Sequence, residues 1–172
     1  SQVQEFAQAV ERRIPIIVVD PRYSTAASKA KHWLPIKPGT DLALILAWMN
    51  VIVSEGLYDR AFVEKHGHGF DKFVAALKDN TPEWAAGITG IPAEAIRRLA
   101  HEMGITARDQ KIELPIAWTD CWGRKHDTVT GNPVAFHAMR GLAAHSNGFQ
   151  TIRALAILMS LLGTIDRPGG FR

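Results

Sequence analysis

From Asp41 to Glu55 the chain reads DLALILAWMNVIVSE, a helix-favouring stretch with apolar residues on almost every side. Such a helix has no face to offer to water, so other elements must cover it all round. A bilayer does not meet that need. The apolar run Leu42–Val53 is interrupted by Asn50 and falls short of the roughly 20 residues a membrane-spanning helix requires. The chain therefore has to build layers around this helix, which Thr40 and Asp41 open and Gly56 closes. Its 172 residues, 47% hydrophobic and 22% charged, are enough for one such core and exclude a disordered chain.

The segments around this helix supply the layers. Ile14 to Val19 is short, nearly continuously apolar and rich in β-branched residues, which predicts a strand buried on both faces, as in a parallel sheet. Pro15 weakens only its start, and Asp20-Pro21 ends it. Trp33–Ile36 is a second extended run, closed by Pro38-Gly39. Helical spacing predicts helices over 2–12, 59–66, 69–78, 82–86, 92–103 and 148–162, and a short helical turn over 24–29. In the last helix Ile152, Leu155, Leu158, Met159 and Leu162 are placed on the core side. Residues 111–118 read as extended, 120–133 as loop, and Val134 to about Met139 as a further apolar run. Strands alternating with helices predict one α/β domain over 1–172, a small and mostly parallel sheet flanked by helices. The chain starts in what reads as mid-helix and stops just after a turn, so a piece of something longer is expected.

Charge and cysteine content remove several function classes. The net charge is +3 and the pI near 9.2, but the cations form no runs, so no nucleic-acid surface is expected. Cys121 is the single cysteine, so neither an internal disulfide nor a four-cysteine iron–sulfur site can form. Its surroundings identify no base and no electropositive pocket, so it reads as structural or incidental. His66-Gly67-His68-Gly69 lacks the carboxylate or thiolate partners of a metal site and reads as a surface turn. His101, His126 and His137 are too far apart to share a ligand spacing. No P-loop, nucleophile elbow or carboxylate pair is present. No catalytic residue and no metal ligand is therefore expected within the chain.

Three loops remain as candidate sites. Asp20 stands at the carboxyl end of a parallel strand, where α/β sheets bind ligands, and could accept hydrogen bonds from ribose hydroxyls or simply cap the next turn. In Lys37-Pro38-Gly39-Thr40-Asp41, Gly39 permits close backbone approach at a helix start. Asp41 could take the paired N–H donors of guanine, or Thr40 and Asp41 could be ordinary helix caps. Arg140 to Gly148 is either a pocket-lining loop or a plain connection in which Ser146 or Asn147 caps the following helix.

Taken jointly, these segments resemble a known family. The runs Val18-Val19-Asp20-Pro21-Arg22-Tyr23-Ser24-Thr25-Ala26-Ala27 and Trp33-Leu34-Pro35-Ile36-Lys37-Pro38-Gly39-Thr40-Asp41-Leu42-Ala43-Leu44 resemble the large-subunit signature of the dimethyl-sulfoxide-reductase superfamily of molybdenum enzymes. The likeness continues through Glu55–Asp59, Gly90–Ile96 and His145–Gln150. Its last stretch, Leu162–Asp166 and Pro168–Arg172, is most similar to the branch of thiosulfate reductase, polysulfide reductase and sulfite-oxidising enzymes.

The resemblance implies a Rossmann-like domain that grips the guanosine end of a bis-molybdopterin guanine dinucleotide carrying molybdenum or tungsten. Asp20, Pro21, Arg22, Tyr23 and Ser24 match one cofactor loop, and Gly39, Thr40 and Asp41 the next. Gly141 and His145 match a region near the pterin. It further implies a multidomain catalytic subunit whose 4Fe-4S cysteines, metal ligand and cofactor-capping domain are not in this sequence, so the chain alone would not turn over substrate. The implied partners are the rest of that subunit, an iron–sulfur electron-transfer subunit and a membrane-anchor subunit, which would hold the enzyme at the inner membrane on its periplasmic or cytoplasmic side. The rival readings are a nucleotide-binding domain of an NAD-linked enzyme and a non-catalytic interaction domain.

Overall fold

The computed structural model describes residues 2–138 and 140–171. Met139, where the apolar run from Val134 was expected to end, and Ser1 and Arg172 at the extremes lie outside the described residues. In chain order the elements are α1 (Gln2–Glu11), β1 (Ile17–Val19), a 3-10 turn (Ala27–Lys29), β2 (His32–Leu34), α2 (Asp41–Ser54), α3 (Arg60–His66), α4 (Phe70–Leu77), α5 (Pro82–Thr89), α6 (Ala93–Asp109), β3 (Ile112–Leu114), β4 (Trp118–Thr119), β5 (Lys125–His126), β6 (Val129–Gly131), α7 (Arg140–Ala143) and α8 (Gly148–Leu161).

The all-round apolar helix is α2, and it is the centre of the molecule. Ala43, Leu44, Ile45, Ala47, Trp48, Met49, Val51 and Ile52 are all buried. Its cover comes from α4, α5, α6 and α8. The packing of α2 on α8 has a definite sense. Near the helix starts, a methyl group placed on Gly39 would lie 3.3 Å from His145 Nδ1. Beyond the helix ends, the Asp59 amide donates to the Leu161 carbonyl at 2.7 Å. The two helices therefore run parallel, with both amino termini at one end of the core and both carboxyl termini at the other.

The α/β class holds, but the strands are distributed differently from the expected single sheet. Among the described residues β1 and β2 form a two-stranded parallel ladder, Ile17 opposite His32, Val18 opposite Trp33 and Val19 opposite Leu34. The pairs β3–β6 and β4–β5 are antiparallel and follow one another along a hairpin arm. Residues 120–133, expected as loop, thus contain two strands. The cause is turn chemistry at Asp120-Cys121-Trp122-Gly123. Asp120 Oδ1 accepts from the amides of Trp122 (2.9 Å) and Arg124 (2.8 Å), which reverses the chain. The β1 strand is half-buried rather than covered on both faces.

Two helices outrun their expected ends, each continuing through a glycine. The α5 helix passes through Gly87 to Thr89, and α6 passes through Gly104 to Asp109. Gly104 is there for contact, since a Cβ on it would meet Leu57 Cβ at 2.6 Å where the turn after α2 presses on α6. In α8, Ile152 is 39% exposed, while Thr151, Ala154, Leu155, Leu158 and Met159 form the buried face. Helical phase explains this: Ile152 sits about 100° from Thr151 and away from the middle of that stripe.

Alanine normally favours a helix interior over glycine by about 1 kcal/mol. At Gly104 the sign reverses. Gly104→Ala is expected to destabilise the fold by about 1–3 kcal/mol, the usual cost of overpacking, in a urea melt. At the hairpin tip burial raises the Asp120 carboxyl pKa, but the Arg124 amide, His126 and the Trp122 amide outweigh it and hold the group below its ordinary value. A depressed carboxyl contributes stability above its unfolded pKa and loses it as pH falls through the folded one. Amide protection at Trp122 and Arg124 should therefore fall in that acidic window, and Asp120→Asn should abolish the pH dependence.

Candidate functional site

Because β1 and β2 are parallel, their carboxyl ends share one edge, and the loops 20–24 and 35–40 leave from it side by side. The second loop runs straight into α2. The loop before α8 reaches the same place through His145, whose ring covers Gly39. Parallel pairing and parallel helix packing together bring all three candidate loops to one end of the molecule. Gly39 has φ +78°, in the left-handed region, so the turn that delivers the chain to α2 is suited to glycine on backbone grounds as well.

Asp20 is held from three directions. Its amide donates to the Leu34 carbonyl at 3.2 Å, and its carbonyl accepts from Trp33 Nε1 at 2.8 Å. Its Oδ1 accepts from the Arg22 amide at 2.8 Å. The turn-capping role is thus filled by one carboxylate oxygen, and Oδ2 has no partner among the described residues. Pro21 and Arg22 are exposed, and Tyr23 packs edge-on against Trp33 with ring centroids 4.9 Å apart. Ser24 is used locally, its hydroxyl accepting from the Ala27 amide at 3.3 Å and its carbonyl from the Ser28 amide at 3.0 Å.

The capping roles open to the other two loops are not filled. Thr40 precedes α2, but its hydroxyl turns back to donate to the Lys37 carbonyl at 2.6 Å, and no side chain caps the helix. Asn147 precedes α8, again without a side-chain cap, and the first turn of α8 carries no acidic residue. Among the described residues no side chain accepts from the first-turn amides of these two parallel helices, the positive pole of both dipoles, although the Ala43 and Gly148 amides donate to the Thr40 and His145 carbonyls. Asp41 is half-buried at the first position of α2. Gly141 sits in α7, where a Cβ would meet open space, while α7 itself packs on α8. Trp33, which reads in the sequence only as a strand residue, ties the first loop to β2. The signal for it is an indole half-buried in a strand beside a strand-end acid.

The opposite end of the helices is chemically different. A cleft of about 360 Å³ opens there, lined in part by Asp59, Arg60, Arg108, Lys111, Asn132 and Leu162. The carboxyl ends of α2, α6 and α8 converge on it, so its cations neutralise the negative poles of three helices. Arg108 is already engaged by Asp109 at 2.7 and 2.8 Å. Asn132 Nδ2 donates to the Leu162 and Gly163 carbonyls beyond α8. Asp59 caps α3 from the same cleft through the Phe62 amide, while the buried Asn132 Oδ1 has no partner among the described residues. Among the described residues no group of three or more His, Cys, Asp or Glu could hold a metal ion, and Cys121 is a free, exposed thiol on the hairpin arm. No helix of the described residues is long and apolar enough to cross a membrane.

Strand-end carboxylate, glycine turn and the two helix amino termini thus lie on one edge of an α/β domain, where open α/β sheets present their ligand-facing loops. Over residues 2–172 the sequence matches the family model described as molybdopterin oxidoreductase, and the chain belongs to that family. It is 45% identical over 240 residues to a sulfite dehydrogenase subunit of Allochromatium vinosum, a match covering 99% of this chain and 24% of that protein. It is 40% identical over 107 residues to the thiosulfate reductase molybdopterin-containing subunit of Salmonella typhimurium, covering 62% of this chain and 14% of that one. Its fold is similar to acetylene hydratase from Pelobacter acetylenicus, with a TM-score of 0.78 at 29% identity over 98% of this chain and 20% of that one. The chain thus spans a quarter or less of these relatives. The NAD-linked and interaction-domain readings gain no support from these relatives.

Gly39→Ala is expected to cost about 1–2 kcal/mol from the left-handed backbone alone, and more from displacing His145. In a double-mutant cycle with His145→Ala, denaturant melts should return the contact part of that loss and leave the backbone part.

Proposed function

We propose that this chain is the guanosine-gripping segment of a larger catalytic subunit that uses bis-molybdopterin guanine dinucleotide with molybdenum or tungsten. The observation that carries the reading is the shared edge: an open carboxylate oxygen on Asp20, Asp41 at the start of α2, and two uncapped helix amino termini meeting at the Gly39–His145 contact. This donor and acceptor set fits the group. Ribose hydroxyls donate to carboxylates, guanine offers adjacent N–H donors, and a diphosphate is favoured at helix amino termini.

When bound, the cofactor supplies the redox chemistry, two electrons and an oxygen or sulfur atom exchanged at its metal. The contribution of these residues is placement. Asp20, with Pro21, Arg22, Tyr23 and Ser24 forming its loop, would hold the ribose side. Gly39 lets the backbone approach, Thr40 keeps the α2 amides uncovered, and Asp41 would accept from the guanine edge. His145 closes the turn, and Gly141 belongs to the short helix behind it. Fixing the far end of a long ligand restricts the orientation of its reactive end.

Two relatives are named for sulfite and thiosulfate, which supports an inorganic sulfur compound as the substrate of the whole enzyme. Both carry the word subunit in their names, which supports a complex of several chains; its other members would be an iron–sulfur electron-transfer subunit and a membrane-anchor subunit. A 4Fe-4S centre in the rest of the catalytic subunit would carry the electrons away. Through these partners the enzyme would sit at the inner membrane, on its periplasmic or cytoplasmic side.

Asp41→Ala, made in the whole enzyme, should lower the amount of cofactor retained on purification, read as molybdenum and guanine per protein. Unchanged molybdenum and guanine content would contradict the assignment.

A further inference from the structure

We propose that Trp33 is a positioning residue for the nucleotide, fixing Asp20 so that Oδ2 alone is left to accept a ribose hydroxyl. This inference rests on the reading of the strand-end edge as a guanosine site and adds to it a residue outside the three candidate loops.

Asp20 carries four hydrogen-bonding groups, and among the described residues three are already committed. The amide is tied to Leu34 by the β1–β2 ladder and Oδ1 to the Arg22 amide by the local turn. The third tie, from Trp33 Nε1 to the Asp20 carbonyl, reaches across 13 residues of sequence and is the only one of the three made by a side chain of another element. The ring of the same residue packs edge-on against Tyr23, three residues further along the loop. Trp33 therefore grips the loop at both ends, Asp20 and Tyr23, from a position in β2 opposite Val18. Pro21 restricts the intervening backbone, so fixing those two points fixes the turn between them. A carboxylate with one oxygen engaged in its own turn and its peptide held on both sides has little rotational freedom left. The entropy of ordering Oδ2 is thus spent in folding rather than in binding.

The test measures how the full chain binds GMP and 2′-deoxy-GMP at equilibrium, by calorimetry, in the native protein and in Trp33→Phe and Trp33→Tyr. Both substitutions keep an aromatic ring against Tyr23 and remove the indole N–H. If one variant does not fold, the other is read. The native chain should prefer GMP over its 2′-deoxy analogue. In the variants GMP affinity should fall about tenfold, the weight of one hydrogen bond to a charged group. The preference for the ribose hydroxyl should shrink toward unity while the urea midpoint changes little. Asp20→Ala should remove the same preference, and combining it with Trp33→Phe should add nothing further to that loss.

Unchanged GMP affinity and preference in the Trp33 variants would overturn the role of Trp33 while leaving the guanosine site intact. Affinity that falls with the preference intact would make Trp33 merely structural and overturn it equally. Absence of GMP binding by the native chain would overturn this inference together with the reading beneath it.

Discussion

The parallel packing of α2 against α8 is the constraint on which the rest of the structure depends. An apolar helix needs cover on every side, and α8 provides part of it with the face bearing Thr151, Ala154, Leu155 and Leu158. Once the two helices lie parallel, their dipoles add instead of cancelling. One end of the core gathers unsatisfied amides and the other gathers unsatisfied carbonyls. The two poles are then treated differently by the sequence. At the carbonyl end, Arg60, Arg108, Lys111 and Asn132 supply positive charge and donors. At the amide end, the available caps are withheld, with Thr40 turned back on Lys37 and Asn147 not reaching α8. Withholding caps sacrifices stability, by about 1 kcal/mol for each helix, and leaves donors that a ligand can use.

The small parallel ladder β1–β2 is subordinate to this arrangement but indispensable to it. It places Asp20 beside the turn that feeds α2, and parallel pairing is what makes the two strand ends neighbours. Without that ladder the carboxylate at the end of β1 would have no fixed relation to the helix starts. A three-residue pair is a weak structure by itself, and the Trp33 bridge, together with the Lys31 amide bonded to the Ile16 carbonyl, reinforces it.

Much of this is legible in the sequence, for identifiable reasons. The DLALILAWMNVIVS stretch demands cover on almost every side, and α2 receives it except along the half-buried stripe of Leu42, Leu46, Asn50 and Val53. The Asp20-Pro21 stop and the Pro38-Gly39 turn mark the strand ends because proline and glycine restrict or free the backbone locally. What cannot be read is long-range. The role of Gly104 cannot be seen locally, because its reason for being glycine, Leu57, lies 47 positions earlier in the chain. The hairpin arm is hidden because its strands are only two or three residues long and its turn is made by the Asp120 side chain. In the candidate site the individual residues can be named, but their capping roles cannot be decided from sequence. Only the hydrogen bonds show that Asp20 fills its local role with one oxygen, while Thr40 and Asn147 leave theirs open.

The central claim is that the amide end of the α2–α8 pair, not the carbonyl end, receives the nucleotide. A structure of the cofactor-loaded whole enzyme tests it most directly. The account predicts guanosine density within hydrogen-bonding distance of Asp20 and Asp41, with phosphate oxygens facing the first-turn amides of α2 or α8. Density seated instead in the cleft of Arg60, Arg108 and Lys111, or away from both ends, would contradict it.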